Sequence, residues 1–375
     1  MSDSCDRRSF LHNTAGASAA FLILKPELVR ATQANSALSV GLIGCGNRGM
    51  YDSGIFAKNE FAKIAAICDI YDDRIQAARE RYSGAKVFRD YKELLASDVD
   101  AVLIATPAYL HPEMFEAAVE ARKHIFMEKP AAVDPKGCRR VKAAALKADP
   151  TKRVTIDFQQ RYGKDYCKAY HLVRSGELGA IKMVRASWFG GGPRIRSGHP
   201  ASEERIRNWY FYRELSGDIL VEQDCHNLDV VNWFTGKHPV KVTGYGGNAI
   251  RFYGDVFDNV ACTFEFDDGL IFSYAANQFR SPGYRDVSET FICEHGVVTT
   301  SRKGITIHRP GKEPERIETR YDITQDSVNE FIEGARTGKI ENAGVAAAES
   351  TLTAVMALWS CVRDRPYTWE EILQA

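Results

Sequence analysis

The 375-residue sequence has no surplus of either charge, with 49 Lys plus Arg against 49 Asp plus Glu. That balance removes the electrostatic reason to expect a polyanionic partner, so no nucleic acid is expected. There is no C-x-x-C pair and no Cys/His cluster at metal-ligand spacing, and nine cysteines cannot all pair. They read as small buried hydrophobes, Cys45 included, and no metal is expected. An uninterrupted apolar run of about 18 residues is missing, so membrane insertion is not expected. Internal repeats and low-complexity tracts are missing too. What remains is 45% apolar and 26% charged over 375 residues, which fits a globular chain too long for one ordinary core and therefore of two domains.

Against those absences Leu38 to Gly49 (LSVGLIGCGNRG) stands out, because a strand-length apolar run delivers Gly44, Gly46 and Gly49 in the spacing G-x-G-x-x-G. Gly44 suits a tight turn, Gly46 a close backbone approach to a pyrophosphate, and Gly49 the packing of a helix whose N-terminal amides face the anion. Asn47 and Arg48 belong to the same cofactor loop. A second strand ends in Asp69, 20 residues past Gly49, where a carboxylate meets the ribose hydroxyls of adenosine. Asp69 repels a 2′-phosphate, which favours NAD over NADP, although Arg74 is near enough to swing toward one.

Residues 1–34 read as a segment apart from the fold. Asp6-Arg7-Arg8-Ser9-Phe10-Leu11 resembles the twin-arginine export motif, with Asp6 in place of the usual Ser or Thr, and Thr14 to Leu24 is the mildly apolar stretch that follows such a motif. Cleavage after Ala31 or Ala34 is expected, with a periplasmic or otherwise exported product, or a cytoplasmic one if the signal does not function. The alternative is an amphipathic arm covering the protein or a partner subunit.

From Leu38 apolar runs alternate with helical patterns, which predicts a parallel sheet with crossover helices. The expected strands are Leu38 to Ile43, Ala62 to Cys68, Val87 to Phe88, Ala101 to Ala105, Ile125 to Met127 and Val154 to Phe158, with helices from Tyr51, Arg74, Tyr91, Pro112 and Pro135. Beyond Tyr166 the pattern becomes long strands of period two: Ile181 to Phe189, Val240 to Tyr245, Asn259 to Phe266, Leu270 to Gln278, Ser288 to Cys293 and Val297 to Thr300. Asp267-Asp268-Gly269 and Glu294-His295-Gly296 read as hairpin turns. The fold class is α/β: a Rossmann dinucleotide-binding domain (37–160) followed by an α+β domain (161–375) with a large, mostly antiparallel sheet. One face of that sheet needs helices, among them Ser327 to Thr337 and Val345 to Arg363, which could pack back on the first domain. The other face is expected to meet another subunit, making a homo-oligomer.

Four blocks together carry a resemblance: Gly44 to Gly49, then Ala105-Thr106-Pro107-Ala108-Tyr109-Leu110-His111, then Glu128-Lys129-Pro130, then Val221-Glu222-Gln223-Asp224-Cys225-His226-Asn227-Leu228-Asp229. Read so, residues 37 to 370 resemble the Gfo/Idh/MocA oxidoreductase family. The resemblance implies hydride transfer between a secondary alcohol of a sugar, glycoside or cyclitol and NAD. It puts the E-K-P lysine at Lys129 and the paired acid and histidine at Glu222 and His226, with Glu in place of the family's Asp. Thr106, Pro107, His111, Glu128 and Lys129 join the cofactor residues. Either Glu222 or Asp224 orients the site; helical phase favours Glu222, four residues before His226. His226, with an ordinary pKa near 6.5, suits proton acceptance at neutral pH. Burial beside an oxidised nicotinamide is expected to lower the Lys129 pKa.

Gln160 and Arg161 follow the sixth strand and either contact substrate or hold the domain junction. His111 either meets the nicotinamide ribose or caps a helix. Pro193 to Tyr212, with Arg194, Arg196, Trp209 and Tyr210, suits stacking on a polyol or a subunit contact. Trp233 reads as core. Export would favour NAD held through a redox-neutral cycle. Two readings stand beside the oxidoreductase: an NAD-dependent glycosidase working by oxidation, elimination and re-reduction, and a non-catalytic nucleotide-binding subunit.

Overall fold

Apolar runs with no polar face must be covered on both sides, and helices crossing between them do that only around a parallel sheet. The computed structural model describes residues 37–375, so the expected export signal lies outside the described residues. In it β1 (Leu38–Ile43), β2 (Ala62–Cys68), β3 (Lys86–Phe88), β4 (Ala101–Ile104), β5 (His124–Met127) and β6 (Val154–Ile156) pair in parallel in the order β3-β2-β1-β4-β5-β6. Every residue of β4 and β5 is buried. The order reverses between β1 and β4, and the crevice beyond their carboxyl ends is where such sheets take ligands. The first helix runs Asn47–Phe56, starting earlier than the expected Tyr51 because Gly46 already serves as its N-cap.

The second sheet has nine strands in the order β14-β13-β12-β11-β7-β10-β9-β8-β15. They are β7 (Ile181–Phe189), β8 (Lys241–Gly247), β9 (Asn259–Glu265), β10 (Ile271–Asn277), β11 (Asp286–Cys293), β12 (Val297–Ser301), β13 (Gly304–His308), β14 (Glu315–Glu318) and β15 (Tyr367–Thr368). Only β7 and β10 pair in parallel. Both expected hairpins are present, joining β9 to β10 and β11 to β12 in antiparallel register.

Helices Lys164–Arg174, Cys225–Thr235 and Gly344–Arg363 cover one face of this sheet. Gly344–Arg363 is long and apolar enough to cross a membrane by length and composition, but 72% of its most apolar stretch is buried as core. On the other face, Ile271, Met183 and Ile292 are register partners on β10, β7 and β11, each still 37–40% exposed. Helix Ile323–Thr337 returns to the first sheet, where Phe331 meets Phe56 and Phe126 edge-on at 5.8 and 5.4 Å.

The helix expected to carry Glu222 and His226 on one face is broken. One helix ends at Glu222 and the next begins at Cys225, with Gln223 and Asp224 between them. The two side chains therefore lose the shared face that four-residue spacing would have given.

Candidate active site

The three glycines do separate jobs. Gly44 sits at φ +93°, and a Cβ there would stand 2.6 Å from the Ala105 carbonyl oxygen, so the turn after β1 lies against the end of β4. A Cβ on Gly49 would meet the Gly44 carbonyl oxygen at 1.9 Å, whereas one on Gly46 would meet nothing within 4 Å. Gly46 thus leaves backbone bare toward the crevice at the start of helix Asn47–Phe56, the cradle a pyrophosphate needs. Asp69 holds this loop in place: its Oδ2 accepts from the Cys45 amide at 2.8 Å and its Oδ1 from the Tyr71 amide at 3.0 Å. Cys45 itself is buried and its thiol is pushed up to about 12 by burial, so it fills space.

The crevice opens into a cavity of about 830 Å³. Of the residues expected at the cofactor, Gly44, Gly46, Asn47, Arg48, Asp69, Thr106, Pro107, Glu128 and Lys129 line it; of those expected at the substrate or the chemistry, Lys129, Trp209, Tyr210, Glu222 and His226 do. Gly49 lies behind the loop as packing. His111 is a correction, since its ring neither lines the cavity nor caps the helix. It is buried between two carbonyls, with Nδ1 2.6 Å from Pro130 O and Nε2 3.1 Å from Thr106 O, and so ties the loop after β4 to the E-K-P segment. Arg161 is likewise not at the cavity but forms an ion pair with buried Asp229, Nη2 to Oδ1 2.8 Å. Trp233 stacks on Tyr170 at 4.5 Å.

Lys129 reaches across from the end of β5, and its Nζ donates to the Glu222 carboxylate at 2.7 Å and to the Glu222 carbonyl. Burial pulls the Lys129 pKa down, but Glu222, Cys225 and Glu128 outweigh it and the net direction is up. The expected lowering is thus reversed within the protein's own field, because Glu222 is turned onto the ammonium. Arg48 fans onto three buried acids, with Nε 2.6 Å from Glu128 and 3.2 Å from Asp52, and Nη2 3.1 Å from Asp157. Burial and crowding by Glu128 push Asp157 up to about 7 and Asp52 well above its ordinary value, so the cluster retains a proton.

His226 finds its partner elsewhere. Its Nδ1 lies 3.1 Å from Gln160 Oε1, and since an amide oxygen only accepts, Nδ1 carries the hydrogen and Nε2 keeps a free lone pair. Neither Glu222 nor Asp224 orients the imidazole; Asp224 is fully buried and its Oδ1 accepts from Gln223 Nε2 at 3.2 Å. Burial, reinforced by the charges of Arg302, Lys129 and Arg48, holds the His226 pKa well below its ordinary range, so the ring is neutral at pH 7.

Residues 193–196 and 206–211 line the cavity, with Arg196 and Arg207 beside Arg74 and Asp73 on the nucleotide side and Tyr210 beside Glu222. Arg207 is bidentate to Asp73 at 2.8 and 2.9 Å and covers the Tyr71 ring at 4.0 Å. Among the lining residues that escaped the sequence reading are Trp188 and Arg302. Trp188, next to last in β7, stacks on His226 at 5.8 Å, and Arg302 sits in the β12–β13 turn. The Ser301-Arg302-Lys303-Gly304 turn before the alternating Ile305-Thr306-Ile307-His308 was the available signal for the latter.

Comparison with known proteins agrees with this architecture. The oxidoreductase family described as having an NAD-binding Rossmann fold matches residues 38–156, and the GFO/IDH/MocA C-terminal domain matches residues 166–299. The uncharacterized oxidoreductase YrbE of Bacillus subtilis is 26% identical over 272 residues, 71% of this chain and 75% of its own. Myo-inositol 2-dehydrogenase of Thermotoga maritima is 23% identical over 315 residues, 80% of this chain and 89% of its own. Among solved structures, levoglucosan dehydrogenase with NADH and levoglucosan superposes at a TM-score of 0.76 and 18% identity, over 88% of this chain and 99% of its own. The WlbA dehydrogenase of Bordetella pertussis with NADH and UDP-GlcNAcA does so at 0.75 and 22%, over 88% and 98%. With both halves matched in order and a glycine cradle that fits the nucleotide, the chain belongs to the Gfo/Idh/MocA family of oxidoreductases, and its cofactor is NAD.

Proposed function

We propose that this enzyme oxidises a secondary alcohol of a carbohydrate or cyclitol, and reduces the ketone in reverse. The observation that carries the reading is the meeting in one cavity of Lys129, paired with Glu222, and His226, oriented by Gln160. Bound NAD supplies the hydride acceptor. Lys129 Nζ has a donor left for the alcohol oxygen and stabilises the negative charge that grows there. His226 Nε2 takes the hydroxyl proton as the carbon gives up its hydride, so alcohol becomes carbonyl and imidazole becomes imidazolium. Gln160 Oε1 keeps the Nδ1 hydrogen engaged throughout. Trp209 and Tyr210 offer the flat faces that sugar C–H surfaces favour.

The polyol class draws on the inositol and levoglucosan dehydrogenases among the similar proteins. Formation of reduced nicotinamide from NAD and a panel of sugars and inositols tests it; a panel that leaves NAD unreduced refutes it. Tight binding of NAD is part of the same proposal, supported by the Arg207–Asp73 tie beside Asp69, with NADH leaving and fresh NAD entering between oxidations. Mass spectrometry of nucleotide released from denatured protein checks it, and empty protein would count against it. Export through the twin-arginine motif at 6–11 is proposed from the sequence alone, to be tested by fusing residues 1–37 to a reporter. Self-association through the outer face of the second sheet is proposed from the exposed row Ile271, Met183 and Ile292.

A further inference from the structure

The cavity holds a guanidinium that its own carboxylates do not neutralise. Lys129 is paired with Glu222, Arg48 with Glu128, Asp52 and Asp157, and Arg207 with Asp73 and Glu203. Arg302 lines the same cavity and makes no ion pair among the described residues. Its Cζ lies 5.3 Å from the centre of the Trp188 ring, and Trp188 stacks on His226, so the indole links the guanidinium to the imidazole. Among carboxylates Glu289 acts on it most strongly, and Glu289 is turned inward. Thr300 Oγ1 and Asn227 Nδ2 donate to Glu289 at 2.6 and 2.7 Å, and burial pushes its pKa up to about 7, so it carries only part of a charge at neutral pH. Arg196, also outside any ion pair among the described residues, stands by contrast beside Arg74 and Arg207 on the nucleotide side.

Resting on the carbohydrate oxidation proposed above, we propose that the substrate carries an anionic substituent, a carboxylate or a phosphate ester, and that Arg302 binds it. The molecule oxidised is a sugar acid or sugar phosphate rather than a neutral polyol. A guanidinium laid on an indole keeps its N–H edge free for two in-plane hydrogen bonds to such an anion. Within a partly water-excluding cavity those bonds are stronger than at an open surface. The placement also has a catalytic consequence. After burial, Arg302 is the largest influence holding the His226 pKa down, and an anion on Arg302 cancels that influence, so binding of the substrate strengthens the base that must take its proton.

The test uses the full chain with NAD and compares D-glucose and myo-inositol with D-glucuronate and D-glucose 6-phosphate. In the wild type, kcat/KM for at least one anionic sugar is expected to exceed that for D-glucose by about tenfold or more, with the two anions separating carboxylate from phosphate recognition. R302Q removes that preference and R302K keeps part of it. Calorimetric titration with the same two anions gives the affinity apart from turnover. Oxidation of neutral sugars with no gain from charge overturns this inference and leaves the carbohydrate reading intact; no oxidation of any compound overturns both. A preference that survives R302Q, or a fall in NAD affinity that accounts for the whole loss in R302Q, also overturns it.

Discussion

A buried ammonium keeps its proton only where buried carboxylates face it, and Lys129 has Glu222 against its Nζ and Glu128 as its chain neighbour. In the proposed reaction Lys129 therefore enters charged, as a donor to the alcohol oxygen, and proton acceptance falls to neutral His226. K129A is expected to lower kcat by about a thousandfold while NAD binding, followed by fluorescence titration, persists. Because the folded state holds His226 below its ordinary value of 6.5, the base stays unprotonated as pH falls through 6.5. The acid limb of kcat/KM for alcohol oxidation is accordingly expected below pH 6.5, and a limb above 7 would contradict the assignment. In the proposed reaction Gln160 acts through His226 as a positioning residue. Q160E sets a carboxylate against Nδ1 and raises the imidazole pKa, so that acid limb should move up by about one pH unit; a profile left in place would refute the contact. At this scale the sequence located Lys129, His226, Glu222 and Gln160 but not which of them pair. Glu222 pairs across to a lysine 93 positions earlier and Gln160 to a histidine 66 positions later, separations that no local periodicity reports.

The elements were legible wherever apolar spacing was regular. β1 to β6 fall on their expected segments because fully buried strands read as apolar runs. β13, β14 and β15 went unseen: β14 is edge-lying Glu315–Glu318 with mostly exposed side chains, and β15 has only two residues. β13 does alternate, with Ile305 and Ile307 buried, whereas the strand character of β14 and β15 comes from pairing with neighbours already in place. The break between Glu222 and Cys225 was equally hidden, for the chain there has no proline and no internal glycine to announce it. Helix Ile323–Thr337 is held to the first sheet by Phe331, which is fully buried between Phe56 and Phe126. F331A is expected to destabilise the protein by about 3–5 kcal/mol in chemical denaturation, with incomplete closure of the resulting cavity adding to the lost transfer energy.

Considered whole, the molecule places a parallel sheet and a mixed sheet so that β1, β4 and β5 supply one wall of the cavity while β7, the β12–β13 turn and the Glu222–His226 break supply the other. Helices alone cover one face of the nine-stranded sheet and leave the row Ile271, Met183 and Ile292 exposed on the other, the face proposed above to meet a second copy. Charge placed in that row, as M183K with I271K, should turn an oligomer into a smaller species by sedimentation velocity without loss of helical signal. A monomeric wild type would refute the assignment.

What the amino-acid order determined by itself was local: a strand feeding three glycines, an acid at the end of the next strand, a lysine after the fifth, and a change of period from helix-spaced to alternating. Each follows from sterics and burial within a few residues, so each could be read in place. What only the tertiary structure decided was which charges meet. Glu222 on Lys129, Gln160 on His226 and Arg302 on Trp188 join groups far apart in the chain, because burial forces each polar group to find whatever partner the packed sheets bring within reach.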